Sequence, residues 1–235
     1  MLPQHIGLIL DGNRRFAKQL MRHPWVGHKY GLEKSRDVLQ WACEKGIKCM
    51  TAYVLSLENL TSRPKAELTM ILRYIGGEAD NIIKDSNHVV NKFKVRVKFT
   101  GRTHLLPKAL QKKMALAEKK TKNYNNHFLN IAVAYGGQQE IVDAMKKILE
   151  EGLKGIIKPS DIDERLIKDH LYTNGQPYPD LIIRTGGEKR LSNFLPYQSV
   201  YSELIFLDKK WPEMQKEDFN AALKDFESRK RRFGK

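Results

Sequence analysis

The stretch His5-Ile6-Gly7-Leu8-Ile9-Leu10-Asp11-Gly12-Asn13-Arg14-Arg15-Phe16-Ala17 holds the densest chemistry in the chain. Ile6, Leu8, Ile9 and Leu10 form a short apolar run of the kind that makes a buried strand. The run stops on a carboxylate, Asp11. Gly12 and Asn13 then supply a tight turn, and Arg14 and Arg15 follow where a helix can begin. Such a junction is an anion site, because unpaired backbone N–H groups and the positive helix end point the same way. An acid is out of place there unless it holds a cation. The stretch therefore reads as a diphosphate cradle with a seat for Mg²⁺, which favours one or two carboxylates plus phosphate oxygens. Asp-Gly-Asn is also an ordinary turn sequence, so the reading depends on the rest of the chain.

Two more clusters follow. One is Ser56, Glu58, Asn59 and Arg63. The other is Arg184, Arg190 and Ser192 around Gly186-Gly187, with Glu203 further on. Guanidinium forks match phosphate oxygens, and glycine lets the backbone come close, so the later cluster reads as a second phosphate site. Two phosphate sites and one carboxylate suggest two phosphorylated substrates meeting. No serine-hydrolase elbow, zinc spacing, Walker loop or GxGxxG is present, and the seven histidines are scattered. Asp11 could instead be the nucleophile of a Mg²⁺-dependent phosphatase, but Asn13 stands where that chemistry expects a second acid.

These residues need strand ends to hold them, and the pattern supplies strands. Apolar runs at 47–55, 95–99, 129–135, 181–183 and 200–206 join the first to make about six. Between them lie helical patterns: His28 to Lys45 closed by Gly46, Leu68 to Ile83 interrupted by Gly76 and Gly77, Pro107 to Asn123, Glu140 to Glu151, and a last one through Phe219 and Phe226. An acidic helix start is expected at Ser160–Leu166. The two glycines are expected to mark a kink or a close contact. The alternation predicts a single α/β domain over 1–235 with a largely parallel sheet flanked by helices. In such sheets ligands collect at the carboxyl ends of strands, where the polar residues of this chain fall.

The apolar share of 41% suits a globular protein with a proper core, and no run is long enough to span a bilayer. Cys43 and Cys49 form no framework or metal spacing, so they read as buried thiols of a cytoplasmic protein. A net charge of +15 requires anionic company: phosphorylated small molecules, a membrane surface or nucleic acid. The lysines read as solvated helix faces. The arginines crowd the turns, favouring phosphate recognition, and no nucleic-acid-binding module is recognisable.

The sequence resembles the cis-prenyltransferase family, the undecaprenyl and dehydrodolichyl diphosphate synthases. The matching stretches are His5–Ala17, Gly27-His28-Lys29, Ser56–Asn59 through Arg63-Pro64, Ile183–Glu188 with Arg190–Phe194, Tyr201–Leu204 through Trp211-Pro212, and Arg231–Gly234. The resemblance implies transfer of isopentenyl diphosphate onto an allylic diphosphate, farnesyl or geranylgeranyl, with Mg²⁺. It implies that Asp11 holds the metal and is catalytic with Asn59. Gly12, Asn13, Arg14 and Arg15 bind the allylic diphosphate, with Phe16 and His28 close by. Arg184, Arg190 and Ser192 hold isopentenyl diphosphate, and Asn59 and Arg63 orient its isopentenyl group. Ser56, Leu57, Glu58, Leu60 and Leu191 complete the substrate contacts. Glu203 is a further metal ligand reaching a neighbouring subunit's site, and Arg232 and Gly234 reach the partner's diphosphate.

A homodimer, an apolar tunnel walled by the Leu68–Ile83 helix, and peripheral membrane contact are implied too, with no nucleic-acid partner. The other reading within the family is a non-catalytic partner subunit, but such subunits lose the strand-end aspartate. Pro24 stands where an arginine is common, Leu60 where an aromatic is, and Gln138 where an arginine is. These departures bear on primer and chain length, and point to an archaeal-type member.

Overall fold

A computed structural model describes residues 1–229. Its elements in order are β1 (His5–Ile9), α1 (Asn13–Gln19), α2 (Pro24–Glu44), β2 (Cys49–Ser56), α3 (Leu57–Ser62), α4 (Lys65–Lys84) and α5 (Val89–Lys92). Then come β3 (Val95–Thr100), α6 (Lys108–Thr121), β4 (His127–Tyr135), α7 (Gly137–Leu153), α8 (Glu164–His170), β5 (Leu181–Arg184), β6 (Glu203–Phe206) and α9 (Lys216–Ser228). Three short 3₁₀ turns lie at Thr103–Leu105, Pro159–Asp161 and Trp211–Glu213.

The six strands form one sheet in the order β3-β4-β2-β1-β5-β6, with every neighbouring pair parallel. Every residue of β1 and β5 is buried, as expected of strands covered on both faces. Alternation sends Ile6 and Leu8 into the larger core, under α2, α4, α6 and α9. Ile9 and Ile182 enter a smaller one with Tyr135, Phe194 and Leu195. After β1 the chain crosses to β2 on one side; after β5 it goes to β6 on the other. The carboxyl ends of β1 and β5 therefore flank a topological switch point, where open α/β sheets form their ligand crevice.

Local chemistry sets the element ends. Pro24 opens α2 at a position where its missing N–H costs nothing. Gly46, at φ +75°, closes the helix: its N–H bonds to Cys43 O, and Ile47 N–H reaches back to Ala42 O, a Schellman motif. Three expectations shift. α4 runs unbroken through Gly76 and Gly77; a Cβ on Gly76 would make ordinary contacts with Leu110 at 3.5 Å and Lys113 at 3.7 Å, and one on Gly77 would meet nothing within 4 Å. β6 begins at Glu203 because 199–202 form a turn, closed by Ser202 N–H to Ser199 O. The acidic stretch divides into a 3₁₀ turn and α8, whose cap is Asp163. Cys43 and Cys49 are free and buried.

His5 anchors the amino end of β1 and is fully buried. Its Nδ1–H donates to Pro177 O at 2.7 Å, so Nε2 accepts from the Thr51 hydroxyl at 2.8 Å. Burial holds the ring neutral and lowers its pKa to about 4. The unfolded ring protonates near 6.5, so the stability it confers is complete above that pH and falls away as pH drops towards 4. The loss amounts to about 3 kcal/mol. Urea titrations should show the gap between the wild type and His5→Gln narrowing from pH 7 to 4.5; a constant gap would contradict this account.

Candidate active site

Asp11 stands two residues past β1 and is held at both ends. Its carbonyl accepts from Thr185 Oγ1 and from Trp211 N–H, each at 2.8 Å. Its carboxylate lies between two guanidinium groups: Arg184 Nη2 reaches Oδ2 at 2.9 Å and Arg15 Nη2 lies 3.3 Å from Oδ1, which also accepts from Gly12 N–H. Arg184 is buried at the end of β5, and its Nη1 donates to Ser192 Oγ at 2.9 Å and to the Arg190 carbonyl. Two of the three clusters thus meet at the switch point. The acid at this junction is compensated by the chain's own arginines.

The turn after Asp11 is shaped by what must pass it. Gly12 has φ +104°, and a Cβ there would strike Lys210 at 2.7 Å. Asn13 begins α1 and lies against α2. A Cβ on Gly27 would fall 1.9 Å from Asn13 O, and one on Gly31 2.1 Å from Asn13 Oδ1. These two glycines, one turn apart, let α1 and α2 touch. Trp211 closes the packing by donating from Nε1 to Gly31 O. Phe16 packs edge-on against Tyr30. Pro24 opens α2, and the preceding His23 stacks on Trp25.

The remaining cluster is built on α3, a helix the sequence reading left as a strand end. Ser56 caps it, accepting from Asn59 N–H at 3.2 Å. Just past its end, Arg63 contacts His28 Nε2 at 3.1 Å and pairs with Glu67. Glu67 is the residue the sequence reading missed. It is buried, accepts from His28 Nε2 at 2.9 Å, and has Arg14 Nε at 3.7 Å. Burial pushes its carboxyl up, but the His28 bond and the charges of Arg63 and Arg14 outweigh that, so it stays below the usual range and ionised. Burial also lowers His28, against the pull of Glu67, so the ring is neutral at pH 7. The signal was present: Glu67 occupies a position of the apolar stripe Ile71, Ile75, Ala79, Ile82 at helical spacing. Arg63 thus lies beside His28 and shares Glu67 with Arg14 of the first cluster.

Asn193 is a second missed residue. Its Nδ2 donates to Glu58 Oε1 at 3.0 Å and to Gln139 Oε1 at 3.1 Å, while its Oδ1 accepts from Gln138 N–H. It tethers α3 to the loop after β5. Ser192, Asn193 and Leu195 all have left-handed φ, at 52°, 64° and 49°. Non-glycine residues adopt this conformation only when their surroundings enforce it.

A cavity of about 640 Å³ lies between the sheet and helices α2 and α4. At its polar end the wall includes Asp11, Asn13, His28, Ser56, Glu58 and Asn59. Arg63, Arg184, Ser192 and Asn193 continue it. Beyond them it turns apolar, with Leu39, Met50, Ile71, Ile75 and Phe99. Leu57 and Leu60 pack instead against the larger core and Leu191 against the smaller one. Arg190 is exposed and pairs with Glu188. Glu203 opens β6, at the amino end of that edge strand, whereas Asp11 stands past the carboxyl end of β1, and it accepts from Arg229 at 2.9 Å. Within this chain it does not join Asp11. Arg232 and Gly234 lie outside the described residues. Among the described residues no three His, Cys, Asp or Glu side chains gather as a metal cage.

Residues 9–234 match the prenyltransferase family model of undecaprenyl diphosphate synthases. The chain is 49% identical to the tritrans,polycis-undecaprenyl-diphosphate synthase (geranylgeranyl-diphosphate specific) of Methanocaldococcus jannaschii, covering all of this chain and 83% of that one. It is 43% identical to an isoprenyl transferase of Thermus thermophilus, over all of this chain and 89% of the relative. The crystal structure of lavandulyl diphosphate synthase from Lavandula x intermedia, in complex with dimethylallyl diphosphate, superposes with a TM-score of 0.93 at 33% identity. That match covers 100% of this chain and 99% of the other.

The helix contact behind Asn13 makes a paired test. Gly27→Ala forces a methyl group onto backbone and should destabilise the fold by about 1–3 kcal/mol, while weakening inorganic diphosphate binding measured by calorimetry. Gly77→Ala, with open space around it, should stabilise by about 0.5–1 kcal/mol through helix propensity. Equal effects in the two variants would show that the α1–α2 contact has no such constraint.

Proposed function

The chain belongs to the undecaprenyl diphosphate synthase family, and from that premise we propose how its own residues carry the cis-prenyltransferase reaction. In that reaction the allylic C–O bond of the primer breaks and diphosphate leaves. The allylic carbon bonds to the terminal carbon of isopentenyl diphosphate. A proton then departs, leaving a new cis double bond.

Arg14 and Arg15 take the primer's diphosphate, together with the backbone N–H groups that follow Gly12. Glu67 holds Arg63 and His28 in place beneath it. Arg184, Arg190 and Ser192 take the diphosphate of the second substrate. Asp11 lies between the two groups of arginines, so both diphosphates converge on it. This convergence across the β1–β5 switch point is the observation that carries the reading. Negative charge grows on the leaving diphosphate, where preoriented N–H and guanidinium donors act most strongly. Asn59 lies in the cavity wall, but an amide is a poor base, so a diphosphate oxygen receives the proton and Asn59 orients the group that loses it.

The donor set suits Mg²⁺ held jointly with substrate. One carboxylate with no second acid beside it leaves the ion's other positions to phosphate oxygens and water. Asp11 would hold the ion; Glu203 could join only from a second copy, since it opens its own strand at the amino end of the sheet, away from the carboxyl end where Asp11 stands. When bound, the metal offsets charge on the departing diphosphate.

The apolar reach of the cavity takes the hydrocarbon tail. The specificity in the name of the Methanocaldococcus relative supports geranylgeranyl diphosphate as primer. A homodimer is supported by α7, whose Val142, Met145, Leu149 and Leu153 form an exposed apolar stripe at helical spacing. No described helix is long and apolar enough to cross a membrane. The charge of +15 and an apolar product support peripheral contact with anionic lipid.

Labelled isopentenyl diphosphate with geranylgeranyl or farnesyl diphosphate should give longer products only with Mg²⁺ present, and most rapidly from the geranylgeranyl primer. No extension from any primer would refute the reading. Asp11→Ala should lower kcat by at least about 10²-fold; near-normal turnover would mean the metal role is misassigned. Arg184→Ala should raise KM for isopentenyl diphosphate more than for the primer. In sedimentation, Leu149→Asp should convert the dimer to monomer.

A further inference from the structure

Asn193 stands one residue beyond Ser192, in the left-handed loop after β5, and Glu58 stands one residue before Asn59 on α3. The 3.0 Å bond between the Asn193 and Glu58 side chains therefore joins the immediate neighbours of two residues placed above at opposite ends of one substrate. Ser192 takes a share of the diphosphate of isopentenyl diphosphate, and Asn59 orients its hydrocarbon group. All four residues line the same cavity.

The two partners differ in how firmly they are held. Asn193 is fixed to α7 without help from α3. Its carbonyl accepts from Gly137 N–H at 2.8 Å, and its Oδ1 accepts from Gln138 N–H at 2.9 Å. A backbone N–H can only donate, so the orientation of the amide is settled and Nδ2 is the atom left to donate. It does so to Gln139 Oε1 and to Glu58 Oε1. α3 has much less to hold it. It is six residues long, and none of them is buried. A helix that short has little stability of its own. The Ser56 cap fixes its first turn, and the bond from Asn193 sets that turn against the loop. Burial raises the Glu58 carboxyl, but its own backbone N–H, Asn193 and Ser56 outweigh that and keep it below the usual range. An ionised acceptor makes the bond stronger than a neutral one. The loop is already anchored to α7, so the bond to Glu58 acts chiefly on α3.

We propose that Asn193 is a positioning residue for the transfer: through Glu58 it sets the spacing between Ser192 and Asn59, and so places the proton-losing group of isopentenyl diphosphate once its diphosphate is seated. This rests on the roles given above to Ser192 and Asn59, and adds the element that fixes one relative to the other. Asn193 touches no reacting atom. Without its bond the diphosphate contacts of Arg184 and Ser192 stay in place, and the step that follows binding slows.

The test uses the full-length enzyme with Mg²⁺, geranylgeranyl diphosphate and labelled isopentenyl diphosphate, and reads kcat and both KM values. Asn193→Asp keeps the size of the side chain, suits the left-handed backbone and still accepts from Gln138. It loses the donor and sets a second carboxylate against Glu58. kcat should fall at least about tenfold, with KM for each substrate changed by less than about threefold. Adding Glu58→Gln exchanges donor and acceptor, so the double variant should regain most of the lost kcat. Glu58→Ala leaves the loop untouched and should lower kcat in the same way, and combining it with Asn193→Ala should add nothing further. This second pair carries the test if Asn193→Asp does not fold, and additive losses in it overturn the proposal. An unchanged kcat in Asn193→Asp, a loss confined to KM, or a double variant no better than the single also overturns it. Asn59→Ala is the reference. Normal turnover there would strike the functional reading of Asn59 and the proposal with it. Lost turnover there beside normal turnover in Asn193→Asp would strike the positioning role alone.

Discussion

The contact between Asp11 and Arg184 ties this structure together. Each sits just at or beyond the end of its strand, and the strands are neighbours whose connections leave in opposite directions. A carboxylate among arginines settles two electrostatic problems at once. It keeps the guanidinium groups from repelling one another across the crevice, and it holds them at the angles their forks need. Charge-assisted bonds of this kind are short and directional, so positions on β1, β5 and α1 become mutually dependent. Thr185 and Trp211 extend that dependence by fixing the Asp11 backbone.

Around that contact the chain spends conformational freedom on closeness. The glycine pair of α2 admits the Asn13 backbone and side chain, and Gly12 turns past Lys210. On the opposite side, left-handed residues at 192, 193 and 195 fold the loop back towards α3. The result is a polar mouth with a defined outline leading to an apolar interior.

The wall helix α4 carries both characters. Its inward stripe is apolar apart from two carboxylates, Glu67 and Glu78. Both are held ionised by partners from other elements, His28 and Arg63 in one case, Arg36 and His88 in the other. Each costs desolvation that only well-aligned partners offset. At the first, the cost fixes His28 and Arg63 at the polar end of the cavity. At the second, it joins α2, α4 and the cap of α5 at the apolar end of the cavity.

Much of this was legible before any coordinates. The apolar runs, their polar endings and the helical spacing between them were enough for a parallel sheet of about six strands with polar residues gathered at its carboxyl edge, because period and composition are local properties. The Asp11–Arg15 stretch and Arg184 with Ser192 were legible because anion chemistry needs glycine and arginine at close spacing. What remained hidden depends on through-space pairing. Glu67 reads as one more polar position until His28 and Arg63 close on it. Gly27 and Gly31 show their purpose only once Asn13 lies against them. Asn193 has no role until α3 exists to be tethered. The order of the strands, which turns distant acids and bases into neighbours, is a property of the assembled sheet: no residue carries it alone, and tertiary packing decides it.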